Sequence, residues 1–100
     1  MNLPANTLTR EFTLLNQYGM HVRPAGLFAK LAARFDADIL VDKDGNVVSG
    51  KSIMALMTLE ATRGTILRVT ATGPQAVEAL EALGALVARK FDINEEEQKK

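Results

Sequence analysis

The only histidine of this chain, His21, sits in Gly19-Met20-His21-Val22-Arg23-Pro24-Ala25, between an alternating stretch and a helical one. A lone histidine is commonly a surface or capping residue. The neighbours of this one suit phosphate chemistry. A helix N-terminus presents N–H groups without intrahelical partners and a partial positive charge, so the amides following His21 are able to hold a phosphate placed on its ring. Arg23 adds a permanent cation whose planar fork pairs phosphate oxygens. Pro24 has no N–H and holds helical φ, Ala25 continues the first turn, and Gly19 permits a tight backbone approach. Together these residues point to a phosphorylatable His21, with Arg23 as its cation and Pro24 and Ala25 at the phosphate-binding helix start.

Ser52 is the second candidate. It precedes a stretch in which Ile53, Leu56 and Met57 recur at helical spacing, and a serine there serves as an N-cap that stabilises a helix by about 0.5–2 kcal/mol. Met20, Ile53, Met54 and Met57 are the third. Apolar residues at helical spacing are core by default, yet Ile53 and Met54 are adjacent and point in different directions. The exposed members of this set can form a docking patch, for which flexible methionines are suited.

Elements of a definite kind must position these residues. Thr7 to Leu15 alternates, with Leu8, Phe12 and Leu14 apolar, and reads as a half-buried strand. A helix should follow from about Pro24 to Phe35, burying Leu27, Phe28, Leu31, Ala32 and Phe35. Ile39, Val41 and Val47-Val48 flank Asp44-Gly45-Asn46, a turn sequence, and predict a β-hairpin. A short helix begins after Ser52 and ends before Gly64. Ile66 to Thr72 is a last strand, with Ile66, Leu67, Val69 and Ala71 apolar. Thr72-Gly73-Pro74 starts the longest helix, whose stripe is Val77, Leu80, Gly84, Val87 and Phe91. The order β-α-β-β-α-β-α is that of an α+β open-faced sandwich, a four-stranded, mostly antiparallel sheet with three helices on one face. Arg10, Glu11, Asp38, Asp42, Lys43 and Arg68 are then expected on its solvated side.

Composition bounds the rest. One hundred residues suit a single domain over 1–100, with a core of about 7–93 and flexible extensions at 1–6 and 94–100. With 12 Lys+Arg against 12 Asp+Glu the chain has no net charge, which disfavours nucleic acid as a partner. Without cysteine there are no disulfides, thiol nucleophiles or thiolate metal sites, and a single histidine makes a metal centre improbable. No signal peptide opens the chain and no apolar run approaches ~18 residues, so a cytoplasmic protein without membrane insertion is expected. Setting aside Asp92, Glu95, Glu96, Glu97, Lys99 and Lys100 leaves the remainder at +2, a slightly basic body.

The Gly19–Ala25 segment resembles the active-site signature of HPr, the small histidine phosphocarriers of the bacterial phosphotransferase system. Lys51-Ser52-Ile53-Met54-Ala55-Leu56-Met57 resembles the regulatory serine motif of the same family, and the element order is that of its fold. The resemblance spans nearly the whole chain. It implies a carrier rather than a complete enzyme, with no cofactor: Enzyme I, charged by phosphoenolpyruvate, phosphorylates Nδ1 of His21, and EIIA domains accept the group onward. It implies Ser52 as the target of an ATP-dependent HPr kinase/phosphorylase where the organism has one, and a patch of Met20, Ile53, Met54 and Met57 as the docking surface of a monomer. Ala71-Thr72-Gly73-Pro74-Gln75 and the Ala/Glu/Leu-rich helix after it resemble the nitrogen-related branch, NPr, more closely. Gly26 departs from the larger residue of many relatives and implies a looser first helical turn. A reading of another class, a ligand-binding or regulatory α+β module such as an RNA-binding domain, is disfavoured by the shortage of aromatics for an open sheet face.

Overall fold

The computed structural model describes residues 6–93. The expected extensions at 1–5 and 94–100 lie outside the described residues. Asn6, assigned to the front extension, already belongs to the fold, because its carbonyl accepts the Gly73 N–H at 3.1 Å.

The elements are β1 (Thr7–Thr13), α1 (Val22–Ala32), β2 (Asp38–Lys43), β3 (Asn46–Ser49), α2 (Ile53–Thr58), β4 (Ile66–Thr72) and α3 (Ala76–Ala88), followed by a closing turn at Lys90–Asp92. The strands form one antiparallel sheet in the order β1-β4-β2-β3. Two helical crossovers place β4 between β1 and β2, and the three helices cover one face. The α+β open-faced sandwich expected from the pattern is therefore the fold.

Register decides which side chains meet the helices. Leu67, Val69 and Ala71 of β4 stand beside Ile39 and Val41 of β2 and Phe12 of β1, and all six are buried. Ile66, grouped with them in the sequence, is out of phase by one residue and is exposed on the open face. The same parity corrects two charges expected on the solvated side. Arg10 pairs with Val69 and so stands on the helix-side face at the β1 edge. Lys43 also belongs to that face, where its Nζ donates to the Leu59 carbonyl at 2.9 Å and holds the C-terminal end of α2. Glu11, Arg68 and Asp42 do form a row across the open face.

Turn chemistry explains most of the joints. Asp44 and Gly45, with φ of 50° and 91°, make a two-residue hairpin turn of the kind that matches strand twist, and Asp42 Oδ1 accepts the Gly45 N–H at 2.8 Å. The long helix begins at Ala76, later than Thr72-Gly73-Pro74 suggested. Its buried stripe is consequently Ala76, Ala79, Leu80, Leu83, Leu86 and Val87, and Val77 is 45% exposed. Phe91 does reach the core, but from outside the helix. Lys90, Phe91 and Asp92 all have positive φ, and this left-handed turn swings the Phe91 ring inward. Such a backbone costs about 1–2 kcal/mol per non-glycine residue. Burial of the ring and the Arg89 Nε bonds to both Asp92 carboxylate oxygens, at 2.9 and 3.2 Å, offset it.

Candidate functional site

His21 is the N-cap of α1, with extended backbone at φ −91° and ψ −168°, and the helix runs from Val22 to Ala32. Both ends differ from the expected Pro24 and Phe35. The proline is the third helical residue, a position whose N–H has no helical acceptor in any case, so it fits without loss. Pro24 and Ala25 are both buried, and the Ala25 N–H already donates to the His21 carbonyl at 2.9 Å. Neither residue therefore has a backbone donor left for an anion. The Val22 and Arg23 amides stand ahead of the first intrahelical bond, that of Ala25 to His21.

The loop before His21 explains how the cap is held. Asn16-Gln17-Tyr18-Gly19 is a β-turn closed by the Gly19 N–H on the Asn16 carbonyl at 3.2 Å. Asparagine first and glycine fourth is a common turn signature, and this signal was present in the sequence. Asn16 is fully buried, and its Nδ2 donates to the Gly19 carbonyl at 2.8 Å. Its Oδ1 has no hydrogen-bond partner among the described residues. Gly19 has φ +64°, and a Cβ built there would stand 2.2 Å from the Ala61 carbonyl oxygen. Only glycine fits. Sequence reasoning passed over Asn16, the one buried polar side chain among the described residues.

A second segment underlies the loop. Residues 61–65, which follow α2, accept the Met20 N–H on the Ala61 carbonyl at 2.8 Å, accept the Leu14 N–H on Thr65 at 2.9 Å, and return the Gly64 N–H to the Leu14 carbonyl at 2.8 Å. The chain leaving α2 thereby fixes the chain entering α1. These bonds also settle the fate of Met20. It is 3% exposed and belongs to the core, so its place in a docking surface is withdrawn. The left-handed Gly19 turns the following side chain inward while carrying His21 out to partial exposure.

The other docking candidates lie at the surface. Ile53 is 43%, Met54 80% and Met57 40% exposed, while Leu56 of the same helix is fully buried. Their patch abuts α1, because a Cβ built at Gly26 would meet Ile53 Cδ1 at 3.9 Å. Exposed Val22 and Tyr18 extend the apolar surface around His21, and the Tyr18 and His21 rings meet edge to face with centroids 6.2 Å apart. Arg23, two residues beyond His21, is exposed on the first turn. At the start of α2, Ser52 has extended backbone, and its Oγ accepts the Ala55 N–H at 3.1 Å. Ser52 is thus the N-cap that the sequence suggested.

The arrangement offers a histidine at a helix start, a guanidinium on the first turn and an apolar rim. Among the described residues no helix is long and apolar enough to cross a membrane.

A family model described as "PTS HPr component phosphorylation site" matches residues 8–89. The chain is 44% identical to the phosphocarrier protein HPr of Vibrio cholerae over 78 residues, which is 78% of this chain and 92% of that protein. To the phosphocarrier protein NPr of Klebsiella oxytoca it is 38% identical over 87 residues, covering 86% of this chain and 97% of the relative. A similar segment lies within the multiphosphoryl transfer protein of Haemophilus influenzae, 35% identical over 89 residues and 86% of this chain, but the chain spans only 18% of that protein's length. Among solved structures, HPr-C-His from Thermoanaerobacter tengcongensis superposes with a TM-score of 0.83 at 36% identity, over 87% of this chain and 98% of that one. With a signature that covers most of the chain, relatives similar nearly end to end and the same fold, the chain belongs to the PTS-HPr family, the HPr and NPr phosphocarriers of the phosphotransferase system.

Proposed function

We propose that His21 is the phosphoryl acceptor, taking the group from Enzyme I and passing it to an EIIA domain. The observation that carries this reading is the placement of His21, partly exposed as the N-cap of α1 at the start of the helix. A ring nitrogen, Nδ1 by resemblance to the family, attacks phosphorus, and the new N–P bond forms as the bond to the donor breaks. Such a transfer depends on positioning and charge matching more than on covalent chemistry by the protein. The first-turn amides of Val22 and Arg23 and the Arg23 guanidinium supply both. Ile53, Met54 and Met57 form the apolar patch on which successive partners dock, a small surface suited to brief encounters.

Ser52 is proposed as a regulatory phosphorylation site for an HPr kinase/phosphorylase. Its capping oxygen would remain an acceptor after phosphorylation, and about −1.5 to −2 of added charge is tolerated at a helix start. The fold would stay while the docking surface beside it became acidic.

The motif after β4 that resembles NPr favours a second reading, a carrier for the nitrogen-related branch. Part of that motif has a structural task. A Cβ at Gly73 would stand 2.9 Å from the Ala37 Cα, and Gln75 exchanges two bonds with Asp36, accepting at 2.7 Å and donating at 3.1 Å. A segment fixed by packing discriminates poorly between branches, and the Lys51-Ser52-Ile53-Met54 motif keeps the carbohydrate-type carrier first. The rate of transfer to a carbohydrate EIIA against a nitrogen-type EIIA separates the two.

Incubation with Enzyme I and phosphoenolpyruvate is expected to place one acid-labile, base-stable phosphate on the wild type and none on His21→Ala. Equal labelling of the variant would refute the assignment.

A further inference from the structure

The helix that carries the docking patch, α2, is the shortest α-helix among the described residues. It has six residues, and a helix of that length is marginal in water without tertiary support. Leu56 is its one buried residue, since Ile53, Met54 and Met57 are exposed. Its last turn contains no basic residue, so nothing in its own sequence offsets the partial negative charge of its C-terminal end. The helix also stops without glycine. Glu60 has φ 50°, the left-handed conformation that helix ends ordinarily assign to glycine and that other residues adopt at a cost. What this sequence omits, another element supplies. Lys43, the last residue of β2, is half-buried, and its Nζ donates to the Leu59 carbonyl at 2.9 Å and, at a longer 3.5 Å, to that of Glu60. One cation thus reaches two carbonyls that lie past the end of the helical ladder. Its own backbone is fixed by the hairpin, where Lys43 pairs with Asn46 across the Asp44-Gly45 turn.

We propose that Lys43 is a positioning residue for the docking patch: its side chain holds the C-terminal end of α2 to the sheet, so that Ile53, Met54 and Met57 keep their places beside α1. This rests on that patch being where partners dock. Ser52 caps the other end of α2 through the Ala55 N–H, so the helix is held by polar bonds at both ends and by Leu56 between them. A surface held in this way loses less to ordering when a partner binds. The loop that carries His21 has separate supports. Residues 61–65 are tied to Leu14 by two backbone bonds, and the Asn16 amide braces Gly19. Loosening α2 should consequently weaken the encounter with a partner and spare the transfer step. Arginine, with several N–H donors on a long stem, should hold the same carbonyls. Methionine keeps an apolar stem and has no N–H to donate.

The test compares Lys43→Met and Lys43→Arg on the full chain with two readouts. By NMR, the amide resonances from Ile53 to Glu60 should shift in Lys43→Met, and protection of the Leu59 and Glu60 amides from hydrogen exchange should fall about tenfold, while Lys43→Arg stays within about twofold of wild type. With Enzyme I and phosphoenolpyruvate, the KM for this chain should rise about three- to fivefold in Lys43→Met with kcat within about twofold of wild type, and Lys43→Arg should recover it. Adding Met54→Ala to Lys43→Met should raise KM by less than the product of the two single effects, because both act through one surface. Unchanged α2 resonances and protection in Lys43→Met would overturn the clamp. A loosened α2 with KM unaltered, a loss confined to kcat, or single effects that multiply would overturn the positioning role. Equal losses in the Met and Arg variants would overturn the claim that the cation is what holds. If Met54→Ala alone left KM unchanged, the docking reading itself would fall, and hydrogen exchange would still decide whether Lys43 holds α2.

Discussion

At the start of α1, His21 holds φ −91° and ψ −168°; at the start of α2, Ser52 holds φ −112° and ψ 114°. Both are extended N-caps, yet their side chains serve different ends. Ser52 spends its hydroxyl on the Ala55 N–H and so stabilises its own helix. His21 makes no such bond, and α1 relies on packing, on Pro24 at its third position and on the bonds that hold the incoming loop. A helix start can thus be kept in place by its surroundings without a capping bond from the residue at its cap. The contrast also separates two kinds of loss, since one cap should matter more to stability and the other to phosphate transfer.

The strongest way to break the first start is at its support. Gly19→Ala puts a methyl group 2.2 Å from the Ala61 carbonyl oxygen and requires alanine at φ +64°. A left-handed alanine costs about 1–2 kcal/mol and the steric conflict about 1–3 kcal/mol more, so a loss of about 3 kcal/mol is expected by urea unfolding. A loss below about 1 kcal/mol would show that the loop relaxes freely. At the second start, Ser52→Ala should destabilise the domain by about 1 kcal/mol, and Ser52→Asp, which also caps, should recover most of it. Equal stability of the Ala and Asp variants would remove capping from the account. Next in size is Gly26→Ala, which sharpens the comparison by strengthening α1 directly. The added Cβ meets only Ile53 Cδ1, at an ordinary 3.9 Å, so thermal unfolding should show a gain of about 0.5–1 kcal/mol. Destabilisation would mean that the α1 to α2 packing is tighter than the structure shows. The smallest stability effect is expected at Met54, 80% exposed on α2. Met54→Ala should leave unfolding within about 0.5 kcal/mol of wild type and raise the KM for phosphorylation by Enzyme I about threefold. An unchanged KM would remove Met54 from the docking patch.

Much of this was legible in the sequence because the deciding interactions are local. The Asp44-Gly45 turn, the Ser52 cap and the phase of Leu67, Val69 and Ala71 each depend on a few neighbouring residues. The misses have long-range causes. Met20 is core because Gly19 is forced left-handed by Ala61, some forty residues away in sequence, a constraint that no periodicity reveals. Lys43 looked like a solvent-facing charge, but its long stem reaches the end of α2. Phe91 was assigned to the right compartment by the wrong route, since a left-handed turn without glycine carries no sequence signal. At the site, His21 and Arg23 stood out by residue type, whereas Asn16 acts through burial, a property not visible in composition.

The central claim is that His21 is reserved for phosphate and is not needed for the fold. The most direct test is site-resolved mass spectrometry, at alkaline pH, of the chain phosphorylated by Enzyme I and phosphoenolpyruvate, with His21→Ala alongside and its unfolding measured. The account predicts phosphate on His21 in the wild type, none on the variant, and a variant stability within about 1 kcal/mol of wild type. Phosphate on any other residue, or a variant that accepts it, would contradict the account.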